Sequence, residues 1–89
     1  MVGESVGLGS DPAEVQFALL RDAGGVDLTA APDTLAIESI DELDSLALMD
    51  AYFFFEEHLN TMVIGPDTEP RTVGDIRALI RSASRRRNQ

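Results

Sequence analysis

Apolar side chains recur at three- and four-residue spacing in three stretches of the chain, and nowhere do they alternate in the manner of a strand. The first stretch opens on Asp11-Pro12-Ala13-Glu14. Asp11 suits a cap, Pro12 the first helical position, and Glu14 sits three residues after the cap. Val15, Phe17, Ala18, Leu19 and Leu20 follow, and Gly24-Gly25 supplies a stop. This pattern predicts a helix over 11–23. The second stretch, Ser45 to Leu59, stands behind Asp44 as N-cap and ends at Asn60-Thr61. The third begins at Thr72-Val73-Gly74-Asp75, with Thr72 as cap and Asp75 as its acidic partner. There Val73, Ile76, Ile80 and Ala83 share one face, with Leu79 beside them.

The connections are less regular. Residues 24–44 show no period, yet Leu28, Leu35, Ile37, Ile40 and Leu43 dot the segment. A connection of this length inside a small domain is unusual and often functional. Its apolar residues predict that it packs along the helices, with a short helical turn around Glu38 to Glu42. Met62-Val63-Ile64 reads as an apolar plug, Gly65-Pro66 as a turn, and Asp67 to Pro70 as a single helical turn. Residues 1–10 are rich in Gly and Ser and are expected to be flexible, and residues 85–89 form a basic, mobile tail. The expectation is an all-α fold: one domain over 11–84, a small bundle of three main helices plus one short helix, with a long first loop.

The middle helix carries more apolar surface than a bundle needs. At about 100° per residue, Leu48, Tyr52, Phe55 and Leu59 form one stripe, and Leu46, Met49 and Phe53 form another on nearly the opposite side. The first is the longer and is assigned to the core. The second is bordered by Asp50 and Glu57 on one side and Glu56 on the other. An apolar strip edged with acids fits a docking surface for a basic partner, and Met49 adds adaptability. The alternative is that the strip packs under the long loop and serves stability alone.

Charge and composition narrow the function. The chain of 89 residues has a formal net charge of −9, and its seven basic residues are all Arg. None lies between Asp22 and Pro70, a stretch that holds twelve of the sixteen acids. An acidic middle of this kind repels nucleic acid and anionic membranes and attracts basic partners. Cysteine is absent and His58 is the single histidine, so thiolate chemistry and a His-rich metal site are excluded. No apolar run is long enough to span a bilayer, and Met1 to Ser10 lacks the features of a secretion signal. A cytoplasmic monomer without catalytic residues is the expectation, with His58 as a helix-surface residue.

Ser45 stands where the long loop meets the middle helix. A helix N-terminus offers free N–H groups and partial positive charge, so a phosphodiester on Ser45 would be electrostatically favoured. A serine at a helix start is equally explained as a cap, and the residues alone leave both readings open.

The surroundings of Ser45 resemble the acyl carrier protein family. Asp44-Ser45-Leu46 is similar to that family's D-S-L attachment motif. Glu56-Glu57 follow eleven and twelve residues after the serine, Leu59 closes the helix, and Thr72-Val73-Gly74-Asp75-Ile76 resembles the T-V-G-D segment that opens the family's last helix. The likeness runs from Asp11 to Ala83 and is that of a free-standing carrier. It implies that a phosphopantetheinyl transferase attaches 4'-phosphopantetheine from coenzyme A to Ser45. The arm's thiol would then hold acyl or aminoacyl groups as thioesters. It also implies a recognition surface at Asp44, Leu46, Met49, Asp50, Phe53, Glu56 and Glu57. The partners implied are that transferase, a loading ligase or acyltransferase, and a ketosynthase or other downstream transfer enzyme. Glu42 stands where many fatty-acid carriers have Gly, Ala47 where they are often acidic, and Phe53-Phe54-Phe55 is unusually aromatic. These departures point to a specialised pathway such as polyketide or nonribosomal peptide assembly. An unmodified acidic interaction module is the competing expectation.

Overall fold

The computed structural model describes residues 11–65 and 67–87. The flexible segment expected at 1–10, the tip of the Gly65-Pro66 turn and the last two residues lie outside this range. Among the described residues three α-helices make up the frame: α1, Pro12–Asp22; α2, Ser45–Leu59; and α3, Val73–Arg87. The class is all-α, as the periodicity predicts. The short fourth helix is reduced to a single 3-10 turn, Ile37–Ser39, and residues 67–70 form no helical turn.

The helix ends follow their sequence signals. Asp11 accepts from the Ala13 amide at 3.0 Å and starts α1. At its other end Gly24 takes φ 92°, and the Gly24 and Gly25 amides donate to the Arg21 and Leu20 carbonyls. That pair of bonds closes a Schellman turn, which needs a residue tolerant of the left-handed region at Gly24. Asn60, at φ 54°, ends α2 in the same region of backbone space. At α3 the expected capping box is complete. The Asp75 amide donates to Thr72 Oγ1, while Asp75 Oδ2 accepts from the Arg71 and Thr72 amides. Those backbone donors hold the Asp75 carboxyl below the usual carboxylate range.

Each helix contributes one face to a single core. Phe17 from α1, Phe55 from α2, and Val73, Ile76 and Ile80 from α3 are completely enclosed, and Phe17 meets Phe55 with ring centroids 5.9 Å apart. Tyr52 and Leu59 join them, while Leu48 is half-buried. Burial, and after it the Asp75 charge, pushes the Tyr52 phenol up to about 12, so it stays neutral. Of the expected plug, Val63 is buried, Ile64 half-buried and Met62 exposed. Helix α3 also runs past its expected end. Arg85 and Arg86 lie on it rather than in a loose tail, and Arg86 donates to Ser82 Oγ and to the Met62 carbonyl. Arg is a good helix former and favours the negative end of a helix, which accounts for the extension.

The long loop over 23–44 is held down at two places. Its middle pairs with the approach to α3: the Ile37 amide donates to Arg71 O, the Val73 amide to Leu35 O and the Gly74 amide to Asp33 O. A Cβ on Gly74 would fall 2.8 Å from the Asp33 Cβ, so only glycine admits this approach. The second fastening is Arg77, which is 6% exposed. Its Nε donates to Glu14 at 2.8 Å and its Nη1 to Asp33 at 2.6 Å; its Nη2 donates to the Leu28 and Ala31 carbonyls. The guanidinium also lies 5.2 Å from the centre of the Phe17 ring. Glu14 therefore serves Arg77 across the bundle and not the α1 cap beside it. Beside this cluster Arg81 holds Asp11 through both carboxylate oxygens, which lowers the Asp11 pKa.

Removing the buried guanidinium leaves the Leu28 and Ala31 carbonyls without their donor, and losing hydrogen bonds to a charged group costs about 1.5–3 kcal/mol. Arg77→Ala is expected to lose that much in urea denaturation. Arg77→Lys should recover only part of the loss, because an ammonium lacks the planar fork. Arg85→Ala, on the exposed end of α3, should stay within about 0.5 kcal/mol of the parent chain. A loss under about 1 kcal/mol for Arg77→Ala would mean that the cluster behaves as a surface ion pair.

Candidate functional site

The end of the long loop delivers the chain to α2 through successive tight turns. The Ile40 amide donates to Ile37 O, and the Leu43 amide to Ile40 O. Leu43 is buried, so the next residue is brought to the surface in a fixed place. Asp44 is extended, with φ −73° and ψ −179°, and its Oδ1 accepts from the Ala47 amide at 2.8 Å. Its carbonyl accepts from the Leu48 amide at 2.8 Å. The cap is thus Asp44, and Ser45 is released from that duty. Ser45 is the first residue of α2 and is exposed, and its hydroxyl has no hydrogen-bond partner among the described residues. The Ser45 and Leu46 amides of the open first turn also have none among them.

The second stripe of α2 is open to solvent. Leu46 is 72% exposed, Met49 49% and Phe53 59%, so the long loop does not cover them. Met62, beyond the end of α2, is 60% exposed as well. Asp44, Asp50 and Glu57 are exposed. Glu56 is different. It is half-buried, and its Oε2 accepts from the Val63 and Ile64 amides at 3.1 and 3.2 Å. Expected as a docking acid, it ties down the segment after α2, where those two amides would otherwise lack a partner. His58 lies on the helix surface as expected. Its Nδ1 donates to the Phe54 carbonyl at 2.9 Å, and its ring rests 4.1 Å from that of Phe54.

Ser45 also sits on the wall of a groove of about 760 Å³ between α2, the 3-10 turn and the approach to α3. Ile37, Leu43, Leu48 and Pro70 make its apolar part, and Arg71 stands among acids at its edge. Nothing in the sequence pattern singles out Arg71 or groups it with Ser45, because the two meet only through the pairing of Ala36 with Thr72. Among the described residues no group of acids and histidine is placed to hold a metal ion. No helix among them is long and apolar enough to cross a membrane.

No family model matches the chain, and no curated protein and no solved structure matches it significantly.

The two faces of α2 give adjacent phenylalanines opposite roles. Phe55→Ala, in the core, is expected to cost about 3–5 kcal/mol in chemical denaturation. Phe53→Ala, on the open stripe, should change stability by no more than about 0.5 kcal/mol. Equal losses would mean that the stripe is covered in solution.

Proposed function

We propose that this chain is a carrier protein that bears a 4'-phosphopantetheine arm on Ser45. The observation that carries the reading is the division of labour at the start of α2. Asp44 supplies the cap, and the adjacent serine hydroxyl is left exposed and, among the described residues, unpartnered at a helix N-terminus, where a phosphodiester is favoured. The likeness of Asp44-Ser45-Leu46 and Thr72-Val73-Gly74-Asp75 to acyl carrier motifs supports the same assignment, and with it a carrier-type bundle. Modification would join Ser45 Oγ to the pantetheine-bearing phosphorus of coenzyme A. The pyrophosphate bond breaks, adenosine 3',5'-bisphosphate leaves and the hydroxyl proton is lost. A phosphopantetheinyl transferase provides the catalysis, so the chain needs no base or activating partner for Ser45 and is not itself an enzyme.

In this reading the arm's thiol holds an acyl or aminoacyl group as a thioester. It presents that group in turn to a loading ligase or acyltransferase and to a ketosynthase or other transfer enzyme, by tethering rather than by diffusion. Leu46, Met49 and Phe53, with Asp44, Asp50 and Glu57 around them, form the surface those partners meet. Glu56 contributes less, since one carboxylate oxygen is already engaged. Specialised polyketide or nonribosomal peptide assembly in the cytoplasm is the setting that the departures from fatty-acid carriers favour.

Intact-mass spectrometry after incubation with coenzyme A and a broad-specificity transferase tests the assignment. The parent chain is expected to gain one phosphopantetheine and Ser45→Ala none. An unchanged parent mass with several transferases would leave an acidic interaction module as the better reading. A second experiment tests the surface. In the double variant Asp50→Lys/Glu57→Lys, transferase or loading-enzyme kcat/KM should fall about tenfold or more, with circular dichroism unchanged. Unaltered kinetics would remove these acids from the docking surface.

A further inference from the structure

A second cleft lies on the side of α2 turned away from the Ser45 groove, and of its lining the carrier reading uses Asp50 alone. It measures about 820 Å³, within the roughly 300–1,000 Å³ range typical of small-ligand sites. Its α2 wall is Ala47, Ala51 and Phe54, and opposite them stand Leu20 from α1 with Leu28 and Ala31 from the long loop. The alanines on α2 leave the space, since bulkier side chains there would fill it. The wall formed by the loop is held in place. Arg77 grips the carbonyls of Leu28 and Ala31, so the cleft exists before any ligand arrives.

The polar part of the lining is one-sided. Asp27, Glu42 and Asp50 are all exposed at the cleft, and no Arg or His is among the residues that line it. The groove beside Ser45 contrasts with this, because Arg71 lies on its lining. Asp27 also accepts the amide and hydroxyl of Thr29, which keeps its carboxyl below the usual range and therefore charged. A carboxylated ligand would bring a like charge into this ring of acids. A purely apolar one would leave the acids unused.

We propose that the cleft binds a compact apolar molecule that carries an ammonium group. The apolar body lies against Ala47, Ala51 and Phe54, and the ammonium faces Asp50 and Glu42. The site is independent of the arm on Ser45.

NMR titration of the full, unmodified chain tests this with three probes of similar shape: 2-(1-naphthyl)ethylamine, 2-(1-naphthyl)ethanol and 1-naphthylacetate. The amine is expected to shift the amides of Val26, Leu28, Ala47 and Ala51 and to bind roughly tenfold more tightly than the carboxylate. Glu42→Gln/Asp50→Asn should remove the preference for amine over alcohol and leave the alcohol's affinity unchanged. Ala47→Phe, with its circular dichroism unchanged, should weaken all three. Equal affinity for amine and carboxylate would overturn the proposal. So would shifts confined to the Leu46, Met49 and Phe53 stripe, or an amine preference that survives neutralising the two acids. Because the chain in this titration bears no arm, none of these failures touches the assignment of Ser45.

Discussion

The burial of the Arg77 guanidinium sets the conditions for the rest of the molecule. A cation withdrawn from water is costly unless its charge and its N–H groups are all answered. Here two carboxylates and two backbone carbonyls answer the charge and four of the five N–H groups, from α1, from the loop at Asp33 and from the loop at Leu28 and Ala31. Satisfying one side chain therefore fixes where three segments lie. Once the loop is fixed at 28–33, its later part is constrained as well. The pairing of Ala36 with Thr72 and the burial of Leu43 carry it to Asp44. The placement of Ser45 is thus a remote consequence of a charge buried on α3.

Helix α2 gains its character from what the other elements leave uncovered. Its core face joins Phe17 and the apolar side of α3. Its remaining surface divides into the open stripe of Leu46, Met49 and Phe53 and two clefts that flank it. Apolar area left in water contributes nothing to folding, so the stripe is a cost to solubility that the surrounding acids offset. Glu56 marks the limit of that acidic border, because its carboxylate is turned to the backbone after the helix.

Much of this was readable along the chain wherever the determining interactions are local. Asp11, Asp44 and the Thr72–Asp75 box act within three residues, and Gly24 and Asn60 act at the ends of their own helices, so the three helices and the core stripe of α2 follow from spacing. The Ser45 position was legible for the same reason. What stayed hidden depends on partners far along the chain. Arg77 is one of the six Arg residues gathered after Pro70, and its partners Glu14 and Asp33 lie 63 and 44 residues away. Glu14 reads as a cap residue, and the two amides that Glu56 accepts from go unseen, because these partners do not show in local pattern. Arg85 and Arg86 looked like a tail because Met62, which holds one of them, is 24 residues distant from Arg86.

The exclusive use of arginine has a chemical consequence beyond charge. A guanidinium stays protonated at any ordinary pH and does not attack carbonyl carbon, whereas a lysine amine does so when it loses its proton. The 89 residues contain neither lysine nor cysteine. An activated acyl group tethered to this surface would meet no ε-amine and no thiol of the chain itself, and could not be lost to either by self-acylation. The lone imidazole, His58, is held against Phe54 at the far end of the helix that Ser45 begins.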